Sequence, residues 1–219
     1  MLARMQLVLF QYWRSSSSWR VRFALEYKKV PYEARVINLL QNEQTSPEHV
    51  RRSPLGVVPC LLIDGKPMTE SIAIIELLDE LFPTPKLLPS DPWRRARVRQ
   101  LSEIINSGIQ PLHNLGTIRR VSDEPEKQRA WARHWIERGL SAFEALLEQE
   151  GSGEGERCFC VGDDLTMADI CLVPQIYQAR RFGADLARFP RTMRVHDHIA
   201  SLDAAIASSP ERSPGAMPS

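Results

Sequence analysis

QLVLFQYWRSSSSWRVRFAL, residues 6–25, decides how this chain begins to fold. The apolar run from Gln6 to Gln11 has the pattern of a buried strand. It stops before four serines, Ser15 to Ser18. From Ser18 onward Val21, Leu25 and Lys28 keep helical spacing, with Phe23 and Ala24 beside them, until VPYE breaks it. A strand that turns through small residues into a helix gathers backbone N–H groups and the positive end of a helix dipole at one spot, where anions settle. Two readings of the serines stay open on these residues alone. One serine caps the helix and the others are solvated, or the hydroxyls of Ser15, Ser16 and Ser17 cradle an anion such as a thiolate and lower its pKa.

Working outward, EARVIN (33–38) reads as a second strand and SPEHVRR (46–52) as a short helix. VPCLLID followed by GKPMT reads as a hairpin turning at Asp64-Gly65. Ser71 is then expected to cap a helix over SIAIIELLDELFP, ending at Pro83. The order β-α-β-α-β-β-α predicts a compact α/β unit on a mixed sheet over residues 1–83. TPKLLPSDP (84–92), punctuated by Pro85, Pro89 and Pro92, reads as a linker. Beyond it strand signals disappear and WRRARVRQLSEIINSGIQPL, EKQRAWARHWIERGLSAFEALLEQE and TMADICLVPQIYQARRF are helical, which predicts an all-α domain over 93–208. The remainder, 209–219, has the composition of a disordered tail.

The 219 residues suffice for one large or two small domains with a real core, and 28 basic against 27 acidic residues leave a net charge of +1. No overall field draws such a chain to nucleic acid or an anionic membrane, so recognition by charge has to be local. Cys60, Cys158, Cys160 and Cys171 do not form a disulfide framework and fit free thiols in a reducing compartment, with the cytoplasm as the default. No apolar stretch reaches the ~18 residues of a membrane span, and no export signal stands at the N-terminus.

Two further segments are able to face the serine loop: PLGVVP (54–59) before the third strand and TES (69–71) before the third helix. Pro59 either begins an edge strand or follows a cis bond that turns the Val58 amide and carbonyl toward a ligand. Together with these, SSSSWRVRFAL, PTPKLLPSDP, GIQPLHNL and VGDDLTMADICLVPQ resemble the zeta class of glutathione transferases, the maleylacetoacetate isomerases, over residues 6 to 208. The resemblance implies a thioredoxin-like N-terminal domain with a mixed four-stranded sheet, an all-helical C-terminal domain, a homodimer, and glutathione as cofactor.

It also implies roles residue by residue. Ser15 would activate the glutathione thiol with Ser16 beside it, and Ser17, Ser18, Trp19 and Arg20 would complete that wall. Val58 and Pro59 would meet the cysteinyl unit, Glu70 and Ser71 the γ-glutamyl end, and Gln44 the glycyl end. Gln110 and Asn114 would face the ligand from the helical domain, and Arg181 would hold a substrate carboxylate bidentately. His113 stands where the family has Gln and is expected to be peripheral. Arg20 and Arg22 cannot share a helix face. Each is read either as a carboxylate contact or as a structural ion pair. The family motif SSCxWRVR carries cysteine where this chain has Ser17. That removes the option of a mixed disulfide with glutathione but leaves isomerisation by glutathione's own sulfur.

The activity so implied is glutathione-dependent cis–trans isomerisation of an activated enone dicarboxylate such as maleylacetoacetate. Conjugation of glutathione to small electrophiles and a non-catalytic binding module are the alternatives. Other features read as structural. Thr166 to Asp169 has the form of a capping box with Leu165 and Ile170 as its staple. Cys158, Cys160, His196 and His198 lack a metal-site spacing, so no metal is expected. RRARVR (94–99) reads as a solvated helix face.

Overall fold

The computed structural model describes residues 5–216. In chain order the elements are β1 (Leu7–Gln11), α1 (Ser16–Tyr27), β2 (Glu33–Val36), α2 (Pro47–Arg52), β3 (Cys60–Ile63), β4 (Lys66–Thr69) and α3 (Ser71–Leu81). They continue as α4 (Pro92–Asn106), α5 (Leu115–Val121), α6 (Pro125–Glu150), α7 (Met167–Phe182), α8 (Pro190–Ala200) and α9 (Asp203–Ala207). The chain forms two compact units. The first runs through Pro85 and takes up again at Asp203, and the second spans Lys86–Leu202. No helix among the described residues is long and apolar enough to cross a membrane.

In the first unit a four-stranded sheet has the order β2-β1-β3-β4, with β1 parallel to β2 and the other pairs antiparallel. Every residue of β1 is buried because helices cover both sheet faces, which is why it reads as an unbroken apolar run. Gln11 faces α1, where it accepts a hydrogen bond from Arg22, while Phe10 packs against His49 of α2 on the opposite face. The β3–β4 hairpin turns through Asp64 (φ 48°) and Gly65 (φ 79°), the two left-handed positions that a tight hairpin needs.

The second unit is all helical. Its centre is α7, buried almost throughout and packed against α4, α6 and α8. The expected capping box is present: Asp169 accepts from the Thr166 N–H and hydroxyl and from the Cys160 N–H, each at 2.7 Å. Burial pushes the Asp169 carboxyl upward, and these bonds pull it back. Of the RRARVR run, Arg97 pairs with Glu150 at 2.8 Å.

Two boundaries differ from the sequence expectation. Residues 83–91 are irregular, yet the stretch is anchored. Lys28 Nζ holds Asp79 and the carbonyls of Phe82 and Pro85, all at 2.7 Å, and Leu87 is buried in the second unit. The helical domain ends at Leu202 rather than at 208, and residues 209–216 are not a loose tail. Trp19 Nε1 donates to Ser208 Oγ at 3.0 Å, Arg22 Nε to Ser208 O at 3.0 Å, and Gln11 Nε2 to Ser213 Oγ at 3.1 Å. A polar, proline-rich segment lacks the apolar side chains that announce packing, but buried polar partners supplied by α1 and β1 hold it. Residues 217–219 lie outside the described residues.

Candidate functional site

Register brings three separate segments to one end of the sheet. Phe10 opposes Cys60 and Cys60 opposes Thr69. The exit of β1, the approach to β3 and the exit of β4 therefore lie side by side. From that end the chain passes through Ser15 into α1, arrives at β3 by way of Val58-Pro59, and leaves β4 through Glu70 into α3. Ligands of α/β sheets bind at such ends, where helix N-termini and loops converge.

Ser15 is the N-cap of α1: its Oγ accepts the Ser18 N–H at 3.2 Å. An oxygen used as an acceptor still has its own hydrogen to donate. Capping and anion contact are thus compatible at Ser15. Ser15 and Ser17 are half-buried, whereas Ser16 and Ser18 are buried. Trp19 is buried with its indole N–H committed to Ser208, so it supports α1 from behind.

Val58-Pro59 is cis. Among the described residues no hydrogen bond engages the Val58 N–H or C=O. A backbone unit left with its donor and acceptor unused is suited to pairing with another peptide. Gln44 belongs beside it: its carbonyl abuts Gly56, where an added Cβ would come within 3.2 Å, and its Oε1 is buried without a partner among the described residues.

At the third segment Ser71 is the first residue of α3, and Glu70 occupies the cap position at φ 65°, ψ 111°. Strained non-glycine backbone of this kind costs about 1–3 kcal/mol and gathers at functional sites. Arg20 is fully buried and its Nη1 donates to Ser71 Oγ at 3.1 Å. Burial removes Arg20 from the groups open to a substrate carboxylate and makes it the link between α1 and the start of α3. Arg22, also buried, binds Gln11 Oε1 at 2.6 Å and the carbonyls of Trp13 and Ser208 at 3.0 Å. Desolvation lowers its pKa to about 10, and it stays charged at neutral pH. These three acceptors are neutral, so amide and carbonyl oxygens stand where a carboxylate partner is one of the readings.

Cys60 lies near the same end, but burial raises its pKa and its Sγ donates to Arg52 O at 3.6 Å. A protonated, buried thiol is a poor nucleophile. Any thiolate chemistry here has to come from a ligand.

Gln110, Asn114 and Arg181 belong to the second unit. Gln110 opens a 3-10 turn, Asn114 is exposed at the start of α5, and Arg181 is exposed near the end of α7. Arg181 Nη1 donates to Gln178 Oε1 at 3.3 Å, and its guanidinium carbon lies 5.3 Å from the centre of the Phe182 ring. His113 is buried against the same ring, with Nε2 3.2 Å from Gln175 Oε1. His196 Nδ1 lies 2.8 Å from Asp197 Oδ1, and His198 stands edge-on to Phe159. Sequence reasoning missed His49 and Ser53, both fully buried on the Val57 carbonyl. In SPEHVRR only helical form was legible.

Two family models match: "Glutathione S-transferase, N-terminal domain" over residues 5–80 and "Glutathione S-transferase, C-terminal domain" over 124–201. A probable maleylacetoacetate isomerase 2 of Drosophila melanogaster is 43% identical over 97% of this chain and 92% of its own length. Maleylacetoacetate isomerase of Anaeromyxobacter dehalogenans 2CP-1, solved with bound GSH in the active site, is 45% identical over 97% of this chain and 99% of its own, with a TM-score of 0.87. The same enzyme was also solved with dicarboxyethyl glutathione and citrate. A bacterial maleyl pyruvate isomerase, described as a glutathione S-transferase in the zeta class, is 36% identical over 96% and 100% of the two chains, with a TM-score of 0.91. With its N-terminal sheet, its helical second unit and relatives matched over nearly their whole length, this chain belongs to the maleylacetoacetate isomerase family, the zeta class of the glutathione S-transferases.

Proposed function

We propose that this protein is a glutathione-dependent cis–trans isomerase of an activated enone dicarboxylate such as maleylacetoacetate. The observation that carries this reading is the convergence at one sheet end of a half-buried serine hydroxyl, an unpaired peptide unit at Val58, and the N-terminus of α3 with the Arg20 guanidinium on its first residue. That donor set fits glutathione part by part. The unused Val58 N–H and C=O suit the cysteinyl backbone, and the buried, unpartnered Gln44 Oε1 suits an N–H donor at the glycyl end. The positive start of α3, with Ser71, suits the γ-glutamyl carboxylate, while the Glu70 carboxylate suits its ammonium.

Glutathione, when bound, supplies a thiolate able to add reversibly to a conjugated cis double bond and so free it to rotate. The chain's part is to keep that sulfur ionised. Ser15 donates its hydroxyl hydrogen, Ser16 and Ser17 extend the polar wall, and the α1 N-terminus adds favourable potential. Arg181, an exposed residue near the end of α7, takes a substrate carboxylate, the role that the family resemblance gives it. The dicarboxyethyl glutathione held by a similar enzyme supports a small dicarboxylate as substrate. Ser17 in place of the family cysteine suffices, because the reacting sulfur is glutathione's. The reading includes a cytoplasmic homodimer. Four free cysteines fit a reducing compartment, and Trp93, 77% exposed on α4, fits a surface that a second chain covers.

Conversion of freshly prepared maleylacetoacetate, with and without glutathione and followed by chromatography and mass, tests the reading. A trans product of unchanged mass that forms only with glutathione is expected. A product heavier by glutathione replaces isomerisation with conjugation. No product despite glutathione binding removes this substrate.

A further inference from the structure

We propose that His49 is a positioning residue for the glutathione site, acting through the peptide unit that joins Val57 to Val58. The inference rests on the reading that Val58 pairs with the cysteinyl backbone. His49 Nε2 lies 2.9 Å from Val57 O, and Ser53 Oγ donates to the same oxygen at 2.8 Å. The Val57 N–H returns to Ser53 Oγ at 3.4 Å, and the Ser53 N–H to His49 O at 2.8 Å. Both side chains are fully buried, and the His49 ring stands edge-on to Phe10 at 6.3 Å.

A carbonyl oxygen has two acceptor sites, and here both are filled from α2 and the residue that follows it. That fixes the plane of the peptide unit. The Val57–Val58 bond is trans, so in the same rigid plane the Val58 N–H points opposite to the Val57 carbonyl. Two donors pulling the oxygen toward α2 therefore direct the Val58 N–H away from α2, leaving it unused among the described residues. Since a carbonyl only accepts, Nε2 carries the imidazole hydrogen. Nδ1 is buried without a partner among the described residues. The ring is thus a one-donor strut between α2 and the ligand-facing backbone. Removal of the imidazole leaves Ser53 Oγ as the single donor on the Val57 oxygen, and one hydrogen bond in place of two lets the plane rock.

Glutathione kinetics and calorimetry on the full chain decide the matter. His49→Phe keeps an aromatic ring against Phe10 and deletes the donor. It is expected to raise KM and Kd for glutathione about tenfold, the loss of one well-aligned hydrogen bond. Turnover at saturating glutathione stays within about twofold on the same reasoning. His49→Gln returns an N–H near the Nε2 position and is expected to recover most of the affinity. Ser53→Ala, which removes the second donor, shifts KM in the same direction and carries the test if His49→Phe does not fold. Wild-type Kd in both His49→Phe and Ser53→Ala overturns the proposal. So does a parallel fall in turnover and stability that His49→Gln does not rescue. The Val58 amide resonance of the ligand-free protein separates this inference from the functional reading. If the wild type fails to bind glutathione, that reading falls. The strut still stands if the resonance moves in His49→Phe and returns in His49→Gln, and falls if it does not move.

Discussion

At Ser15 one oxygen accepts the Ser18 N–H at 3.2 Å and, in the proposed function, gives its hydrogen to the thiolate. Replacing it with alanine removes both interactions, and they are measured separately. Ser15→Ala is expected to lower glutathione-dependent turnover by ~10²-fold, the usual loss for one preorganised donor. Loss of the cap lowers stability by about 1 kcal/mol, read from urea unfolding. Unchanged turnover with lowered stability would leave Ser15 a cap alone. Arg20 shows how far a residue's neighbours outweigh its type. A guanidinium in a binding motif invites a carboxylate, yet this one is fully buried and ties α1 to the start of α3 through Ser71 Oγ.

Among the elements, α1 and α7 depart from the simple amphipathic pattern because each is buried nearly all round. In α7 the buried N-terminus depends on a single carboxylate. Asp169 satisfies the N–H groups of Thr166 and Cys160 in a fully buried setting, so its removal strands two donors. Asp169→Ala is expected to cost on the order of 3 kcal/mol, checked by chemical denaturation. The carboxylate serves architecture; its failure should appear as lost folded protein, with turnover per folded molecule little changed. In α3 the opposite holds. Its cap position, Glu70, is held at φ 65°, a conformation that lowers stability where the site needs a particular backbone direction.

For the whole molecule, the return of the chain after Leu202 to the first unit is the decisive event. Residues 208–214 hold Trp19, Arg22 and Gln11, and Arg22 in turn binds the carbonyl of Trp13, two residues before Ser15. Ending the chain after Ala207 leaves a buried guanidinium short of acceptors. The expected loss is about 3 kcal/mol or more, seen as a lower urea midpoint than that of the full chain. An unchanged midpoint would mean that water replaces the segment without cost.

Sequence alone determined the strand and helix order as far as α3, the helical stretches of α4, α6 and α7, the Asp64-Gly65 hairpin, the Thr166–Asp169 capping box and the three segments at Ser15, Val58-Pro59 and Glu70-Ser71. Each is written in chemistry that acts within about four residues: alternation, turn geometry, capping. Tertiary structure decided what the long and buried polar side chains do. Arg20 reaches a partner 51 residues away, Arg22 one 186 away and Gln11 one 202 away. His49 meets Val57 only because α2 lies against the approach to β3. A local pattern carries no record of such distances. Which acceptor a buried donor finds is set by topology, and the need to satisfy every buried polar group turns a polar, proline-rich tail into part of the fold.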